Sequence, residues 1–248
     1  MSIDLPQRIA KYLAYLGFCS RRQAEILISQ GRVVVDNKIL LNPAVKVSSK
    51  NKILIDNNPV IVPSSIKTRL WKAYKPRGVL VTTQDPKGRP TIFNTLEKKS
   101  LLPRVISVGR LDINSEGLIL LTNKGEVARW LELPSTGWAR CYQIRVYGHI
   151  TQSMLDDLAE GIVVDTIHYK PIFAKLERQL KSNSWITVTL NEGKNREIRK
   201  IFSYLGCQVN KLIRLSFGPF ELGSLKPNQY EEISASILHK HLPSKLWK

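Results

Sequence analysis

The string Gly109-Arg110-Leu111-Asp112-Ile113-Asn114-Ser115-Glu116-Gly117, with Leu118-Ile119-Leu120-Leu121 behind it, sets one carboxylate in a loop at the mouth of an apolar run. Loops carried on a rigid strand commonly present catalytic groups, and a carboxylate placed there can serve as nucleophile or base. The residues alone leave a second reading open, in which Asp112 is a turn aspartate capping Asn114 or Ser115. Tyr142 offers an aromatic face, although it alternates with Ile144 and Val146 as a core residue would. The run Glu192-Gly193-Lys194-Asn195-Arg196-Glu197-Ile198-Arg199-Lys200 opens a helical stretch with a cluster of cations suited to backbone phosphates. Metal chemistry has less support. Cys19, Cys141 and Cys207 are far apart, and His149, His168, His239 and His241 lack zinc-ligand spacing. Phosphate-loop and dinucleotide fingerprints are absent as well.

The elements that must position these residues read as two modules. Arg8 to Leu16 places Ile9, Leu13 and Leu16 on one helical face, and Gly17 ends it. Ser20 and Gln23 form a capping box for a second helix with Ala24, Leu27 and Ile28 as its buried stripe and Gly31 as its stop. A hairpin turning at Asp36-Asn37 follows, then short strands at Lys52–Asp56 and Val60–Val62. Residues 1–62 thus form a small module, 63–69 a linker, 70–237 a larger domain, and 238–248 a basic tail. In the larger domain, strand patterns at Leu70–Lys75, Val79–Thr83, Gly117–Thr122, Arg140–Tyr147, Trp185–Leu190 and Val209–Leu215 are joined by helical stretches at Lys124–Leu133, Gln152–Gly161 and Asn195–Leu205. Helices do not alternate regularly with strands, so the expected class is α+β with a mixed, largely antiparallel sheet.

Charge narrows the partner. Lys and Arg number 38 against 20 Asp and Glu, a net charge of +18 with pI near 10.0. Residues 1–65 hold nine basic and four acidic side chains, so both modules share the excess. A polyanion is the natural counterpart, which points to nucleic acid. No apolar run approaches the roughly 20 residues needed to span a bilayer, and no long basic amphipathic helix appears, so no membrane partner is expected. The first twenty residues lack a secretory core, and cysteine usage fits a reducing compartment, so a cytoplasmic protein is expected.

Residues Arg8 to Ala24, continuing through Gly31-Arg32-Val33-Val34-Val35-Asp36, resemble the S4 RNA-binding domain. Arg21 and Arg22 at a helix start lie beside free amides and the positive end of the dipole, a combination that favours phosphate. The Asp112 string resembles the active-site signature of RNA pseudouridine synthases, in the RsuA-type branch whose members commonly carry an N-terminal S4 domain. Tyr74-Lys75-Pro76-Arg77-Gly78-Val79, the segment around Tyr142, the Glu192–Lys200 run and Lys211-Leu212-Ile213-Arg214-Leu215-Ser216-Phe217-Gly218-Pro219 match further motifs in the same order. Asn195-Arg196-Glu197 departs from the small-subunit pattern, an aromatic followed by His-Gln, and is closer to the large-subunit synthase B branch.

The resemblance implies isomerisation of a uridine to pseudouridine in ribosomal RNA, with 23S rRNA favoured, free or within an assembly intermediate, by a monomeric enzyme. Such a reaction involves no net redox change, hydrolysis or group donor, so no cofactor is expected. It implies Asp112 as the catalytic carboxylate, Arg199 as the cation paired with it and lowering its pKa, and Tyr142 against the extruded base. Arg110 would fill the gap left in the RNA, and Arg8, Lys11, Ser20, Arg21, Arg22, Arg32, Lys75, Lys194, Arg196, Lys200 and Lys211 would bind it. A synthase acting on 16S rRNA or tRNA, and a non-catalytic assembly factor built from the same modules, are the competing readings.

Overall fold

The computed structural model describes residues 4–97 and 103–247. Residues 1–3 of the first expected module and Lys248 of the expected tail lie outside them. The N-terminal module pairs helices Ile9–Tyr15 and Arg21–Ser29 over a sheet in which Val33–Val35 is flanked by Lys38–Leu40 and Ile53–Ile55. The capping box is in place: Ser20 Oγ accepts the Gln23 amide at 3.1 Å, and Gln23 Oε1 accepts the Ser20 amide at 2.9 Å. Asp36 and Asn37 turn the hairpin with φ of 49° and 66°, the pair of left-handed residues that matches strand twist. Ile9, Tyr12, Leu13, Ala24, Ile28, Val33, Ile53 and Ile55 make its core. Each such aliphatic side chain contributes about 1.5–3 kcal/mol when fully buried, which gives so small a module a core of its own. The expected strand at Val60–Val62 does not form; its place in the sheet goes to Asn58–Pro59, paired with Ile53–Ile55.

The larger domain is built on one sheet, in the order Ile172–Gln179, Asn183–Leu190, Arg140–Tyr147, Gln208–Phe217, Glu116–Thr122, Leu70–Lys75, Tyr230–Glu232. Most neighbours run antiparallel, and Gln208–Phe217 beside Glu116–Thr122 is the parallel pair, so the sheet is mixed and largely antiparallel. Along Glu116–Thr122 the apolar run serves two faces. Ile119 and Leu121 enter one core, while Leu118 and Leu120 enter the other. The parallel pairing needs a glycine at its mouth. A Cβ on Gly117 would lie 2.4 Å from the Arg214 carbonyl oxygen, and its φ of +100° is one that side chains rarely adopt.

Two expectations are corrected here. Val79–Thr83 is not a strand; only a bridge from Leu80 to Thr91 forms, because the chain turns away from the sheet after Gly78. The C-terminal segment is not a free tail. It forms helices Ala235–His241 and Ser244–Trp247, so a boundary at residue 238 would cut through a helix. Leu238, Leu242 and Leu246 are buried in the core that holds Leu118 and Leu120, and Thr68 donates to the Leu246 carbonyl.

Candidate active site

Asp112 lies in the loop between strands Ile106–Val108 and Glu116–Thr122, which pair antiparallel. Gly109, with φ of +66°, starts the loop and gives its amide to Glu132 Oε1 at 2.8 Å. Every carbonyl from residue 112 to 115 is then taken by a donor. The Asp112 carbonyl accepts the Ser115 amide, and Ile113 accepts the Gly78 amide at 2.8 Å. The Asn114 carbonyl accepts Arg199 Nη2 at 3.0 Å, and Ser115 accepts Lys75 Nζ at 2.6 Å. The turn is thus closed by backbone, and the Asp112 carboxylate is not its cap. That side chain is 38% exposed, with Arg196 Nη1 3.9 Å from its Oδ2.

Fixing the loop this way redefines two cations. Lys75 was expected on RNA, but it is fully buried, its ammonium shared among the carbonyls of Ser115, Ile113 and Pro76. No phosphate can reach it. Burial brings its pKa down to about 8, against the pull of Asp112 and Glu116. Arg199 was expected to pair with Asp112. Its guanidinium donates to the Val209 carbonyl at 2.7 Å and to Asn114, so it braces the loop while still lying in the field of Asp112, and the contact within 4 Å of the carboxylate is made by Arg196. Arg196 reaches that position from a left-handed backbone, φ 53° and ψ 31°, immediately before helix Glu197–Tyr204. For a residue with a Cβ this conformation costs about 1–2 kcal/mol, strain of the kind that clusters at functional sites.

Asp112, Tyr142, Arg196 and Arg199 line one cavity of about 640 Å³, together with Arg110, Lys194 and apolar side chains. Tyr142 is 9% exposed, so it belongs to the core and still forms part of the cavity wall. Three lining residues were missed as site residues: Arg140, Glu197 and Arg214. Glu197 Oε2 accepts the Lys194 amide at 2.9 Å, while its buried Oε1 has no partner. Burial, with the nearby Glu192 carboxylate adding to it, pushes the Glu197 carboxyl up to about 7 despite the Lys194 amide. The hint in the sequence was a second glutamate, after Glu192, among the cations of the run.

The remaining expected RNA contacts separate by commitment. Arg8, Arg21 and Arg22 are exposed and Lys11 is partly so, with no ion pair among the described residues. Arg32 is corrected: its guanidinium is held two-pronged by Asp56, with Nε to Oδ1 at 2.7 Å, and it braces the hairpin. Ser20 spends its oxygen on the cap. Lys194 is drawn to Glu192, the His168 carbonyl and the Tyr169 ring, and Lys211 lies 3.8 Å from Glu116. Lys200 joins Arg196 and Arg199 along a second groove of about 350 Å³.

Comparison with known proteins agrees with this architecture. Residues 69–204 match the RNA pseudouridylate synthase family and residues 7–53 match the S4 domain. An uncharacterized RNA pseudouridine synthase of Rickettsia felis is 49% identical over 234 residues, covering 94% of this chain and all of the relative. Ribosomal large subunit pseudouridine synthase B of Salmonella typhi is 41% identical over 223 residues, 88% of this chain and 76% of that one. A crystal structure of a pseudouridylate synthase superposes with a TM-score of 0.64 at 25% identity, covering 95% of this chain and 99% of the other. The chain belongs to the RNA pseudouridylate synthase family, as an RNA pseudouridine synthase that carries its catalytic domain behind an S4 domain.

Proposed function

We propose that the protein converts a single uridine of 23S rRNA to pseudouridine, with Asp112 acting at the ribose of an extruded nucleotide. The observation that carries this is the Asp112 loop. Its backbone is fixed by four separate donors, yet its carboxylate is left at the wall of a cavity that also holds an aromatic ring. The large-subunit substrate is supported by synthase B of Salmonella typhi, named for that subunit and 41% identical.

The reaction breaks the bond between uracil N1 and ribose C1′, turns the base, and joins C5 to C1′. C5 loses a proton and N1 gains one, so the composition is unchanged. Asp112 acts either by attacking the sugar or by removing one of its protons, which it returns as C5 joins C1′; both roles need a carboxylate in place and nothing oxidised or reduced. Extruding the nucleotide costs a few kcal/mol, offset by stacking on Tyr142 and by Arg110 entering the vacated stack. Arg196, beside the carboxylate, and Lys200 in the adjoining groove would hold flanking phosphates. The exposed cations of the N-terminal module dock the surrounding RNA, free or within a ribosome-assembly intermediate in the cytoplasm. The enzyme would act as a monomer.

The test is carbodiimide and primer-extension mapping of pseudouridines in total RNA, with and without the gene. A 23S site lost with the gene, restored by wild type and not by Asp112→Ala, is the expected result. Purified Asp112→Ala should lose about a thousandfold or more in turnover while keeping RNA affinity. A lost site in 16S rRNA or tRNA would overturn the substrate assignment, and no lost site anywhere would favour a binding role.

A further inference from the structure

The cavity wall also holds two arginines that the mechanism above does not use. Arg140 and Tyr142 are two apart on one strand and so share a face. Arg214 is the cross-strand partner of Tyr142, and Phe217 is the partner of Arg140. Positions 214 and 217 differ by an odd number and would normally face opposite ways. A bulge, marked by the register shift between Cys141 and Tyr142, takes up the extra residue and brings both to the same side. The two guanidinium carbons lie 4.6 and 5.4 Å from the centroid of the Phe217 ring.

Among the described residues, neither cation has a carboxylate within ion-pairing distance. Arg214 is 4% exposed, gives Nε to the Leu118 carbonyl at 2.7 Å, and keeps a buried Nη2 with no partner. Arg140 reaches only carbonyls, of Trp138 and Glu192, at 3.3 and 3.4 Å. Burial, and after it the like charge of Arg214, works against the Arg140 cation, while Tyr142 and Glu197 support it. A buried guanidinium and a half-buried one on the same ring are costly unless an electron-rich group completes the site.

We propose that Arg140 and Arg214 form the base end of the pocket, gripping the uracil of the extruded nucleotide through its carbonyl oxygens and balancing the charge it gains when it leaves the ribose. This rests on the reading of the function given above. A phosphodiester stays tied to its strand and meets the exposed cations at the mouth, Arg110 and Arg196. Only the base can reach side chains as buried as Arg214. When N1 parts from C1′ with both bonding electrons, the uracil carries one negative charge, spread over N1, O2 and O4. C1′ is meanwhile held by Asp112 or relieved of a neighbouring proton. Closure of C5 onto C1′, loss of the C5 proton and protonation of N1 return the base to neutrality. Fixed guanidinium donors stabilise such transient charge without reorganising.

The experiment uses the full-length enzyme and a synthetic RNA fragment around the mapped uridine, made with uridine, 2-thiouridine or 4-thiouridine at that position. Sulfur is the weaker acceptor, so at least one thio substrate should slow the wild-type single-turnover rate about tenfold. Arg214→Lys and Arg140→Lys should each be about a hundredfold slower on uridine, lose that discrimination, and bind the RNA within about twofold of wild type. An undiminished thio penalty in the variants, wild-type rates, or an affinity loss equal to the rate loss would each overturn the proposal, the last assigning the pair to phosphate. Melting curves confirm folding, and if Arg214→Lys does not fold, Arg140→Lys decides the matter. Absence of wild-type turnover on the uridine substrate would instead mean that the functional reading itself has failed.

Discussion

Arg21 and Arg22 at the head of a helix in the N-terminal module, and Lys75 beneath the Asp112 loop, are all cations in segments that resemble RNA-modifying proteins. Their circumstances are opposite. The two arginines are exposed and unpaired among the described residues, whereas Lys75 has no exposed surface and three carbonyl partners. An exposed cation keeps its hydration and exchanges it cheaply for phosphate oxygens. A buried ammonium has already lost its water, and its free energy depends on the oxygens that replaced it. The count of 38 Lys and Arg therefore overstates the RNA-binding surface, since some of them are buried inside the catalytic domain and others are held in ion pairs such as Arg32 with Asp56.

Removing Lys75 is the strongest way to break that contrast. In Lys75→Met the Ser115 carbonyl loses its donor inside the protein, Ile113 keeps only the Gly78 amide, and the Asp112 loop loses its support from below. About 3 kcal/mol of stability should disappear in urea unfolding. Single-turnover rate should fall even where the protein remains folded, while RNA affinity holds. If affinity fell and stability did not, Lys75 would be an RNA contact after all.

Glu197 sharpens the same point with the opposite charge. Its folded carboxyl titrates near 7, well above its ordinary value of 4.5, with burial as the main cause. Between pH 4.5 and 7 the folded state therefore holds a proton that the unfolded state has released, and stability falls as pH rises through that window. The effect is about 3 kcal/mol over the window. Glu192 is shifted the other way, downward, and so acts below pH 4.5. Glu197→Gln should flatten the stability profile between pH 5 and 7 in urea titrations; an unchanged slope would show that another group is responsible.

Local chemistry was the legible part of the sequence. The Ser20 and Gln23 box and the Asp36-Asn37 turn are set by neighbours a few residues away, the strands Leu70–Lys75 and Arg140–Tyr147 show in their own composition, and all form as expected. What local composition does not encode is whether a partner is present for a given strand or helix. Val79–Thr83 has a strand composition but no strand beside it beyond the bridge at Leu80. In the C-terminal segment the basic charge obscured Leu238, Leu242 and Leu246, whose spacing of four marks a helical stripe. In the candidate site, Asp112 and Tyr142 were legible as residue types in motifs. The fate of Lys75, the carbonyl partners of Arg199 and the pairing of Arg140 with Arg214 on one ring depend on which strands meet and where one bulges.

The mildest perturbation tests the exposed side of the contrast. Replacing both Arg21 and Arg22 with Ala removes two charges next to the Ser20 cap without touching the module core. Each phosphate that is no longer neutralised should reduce the slope of log affinity against log salt by about 0.7–0.9, so the double variant should be shallower by roughly 1 to 2. Affinity at moderate salt should drop by about tenfold, uniformly across RNA sequences, because binding to phosphates carries little sequence information. Single-turnover rate at saturating RNA should stay at the wild-type value, since neither arginine lines the catalytic cavity. A rate loss at saturation would mean that docking by the N-terminal module also sets how the uridine enters the pocket, and the separation between exposed cations that gather RNA and buried ones that shape the site would have to be abandoned.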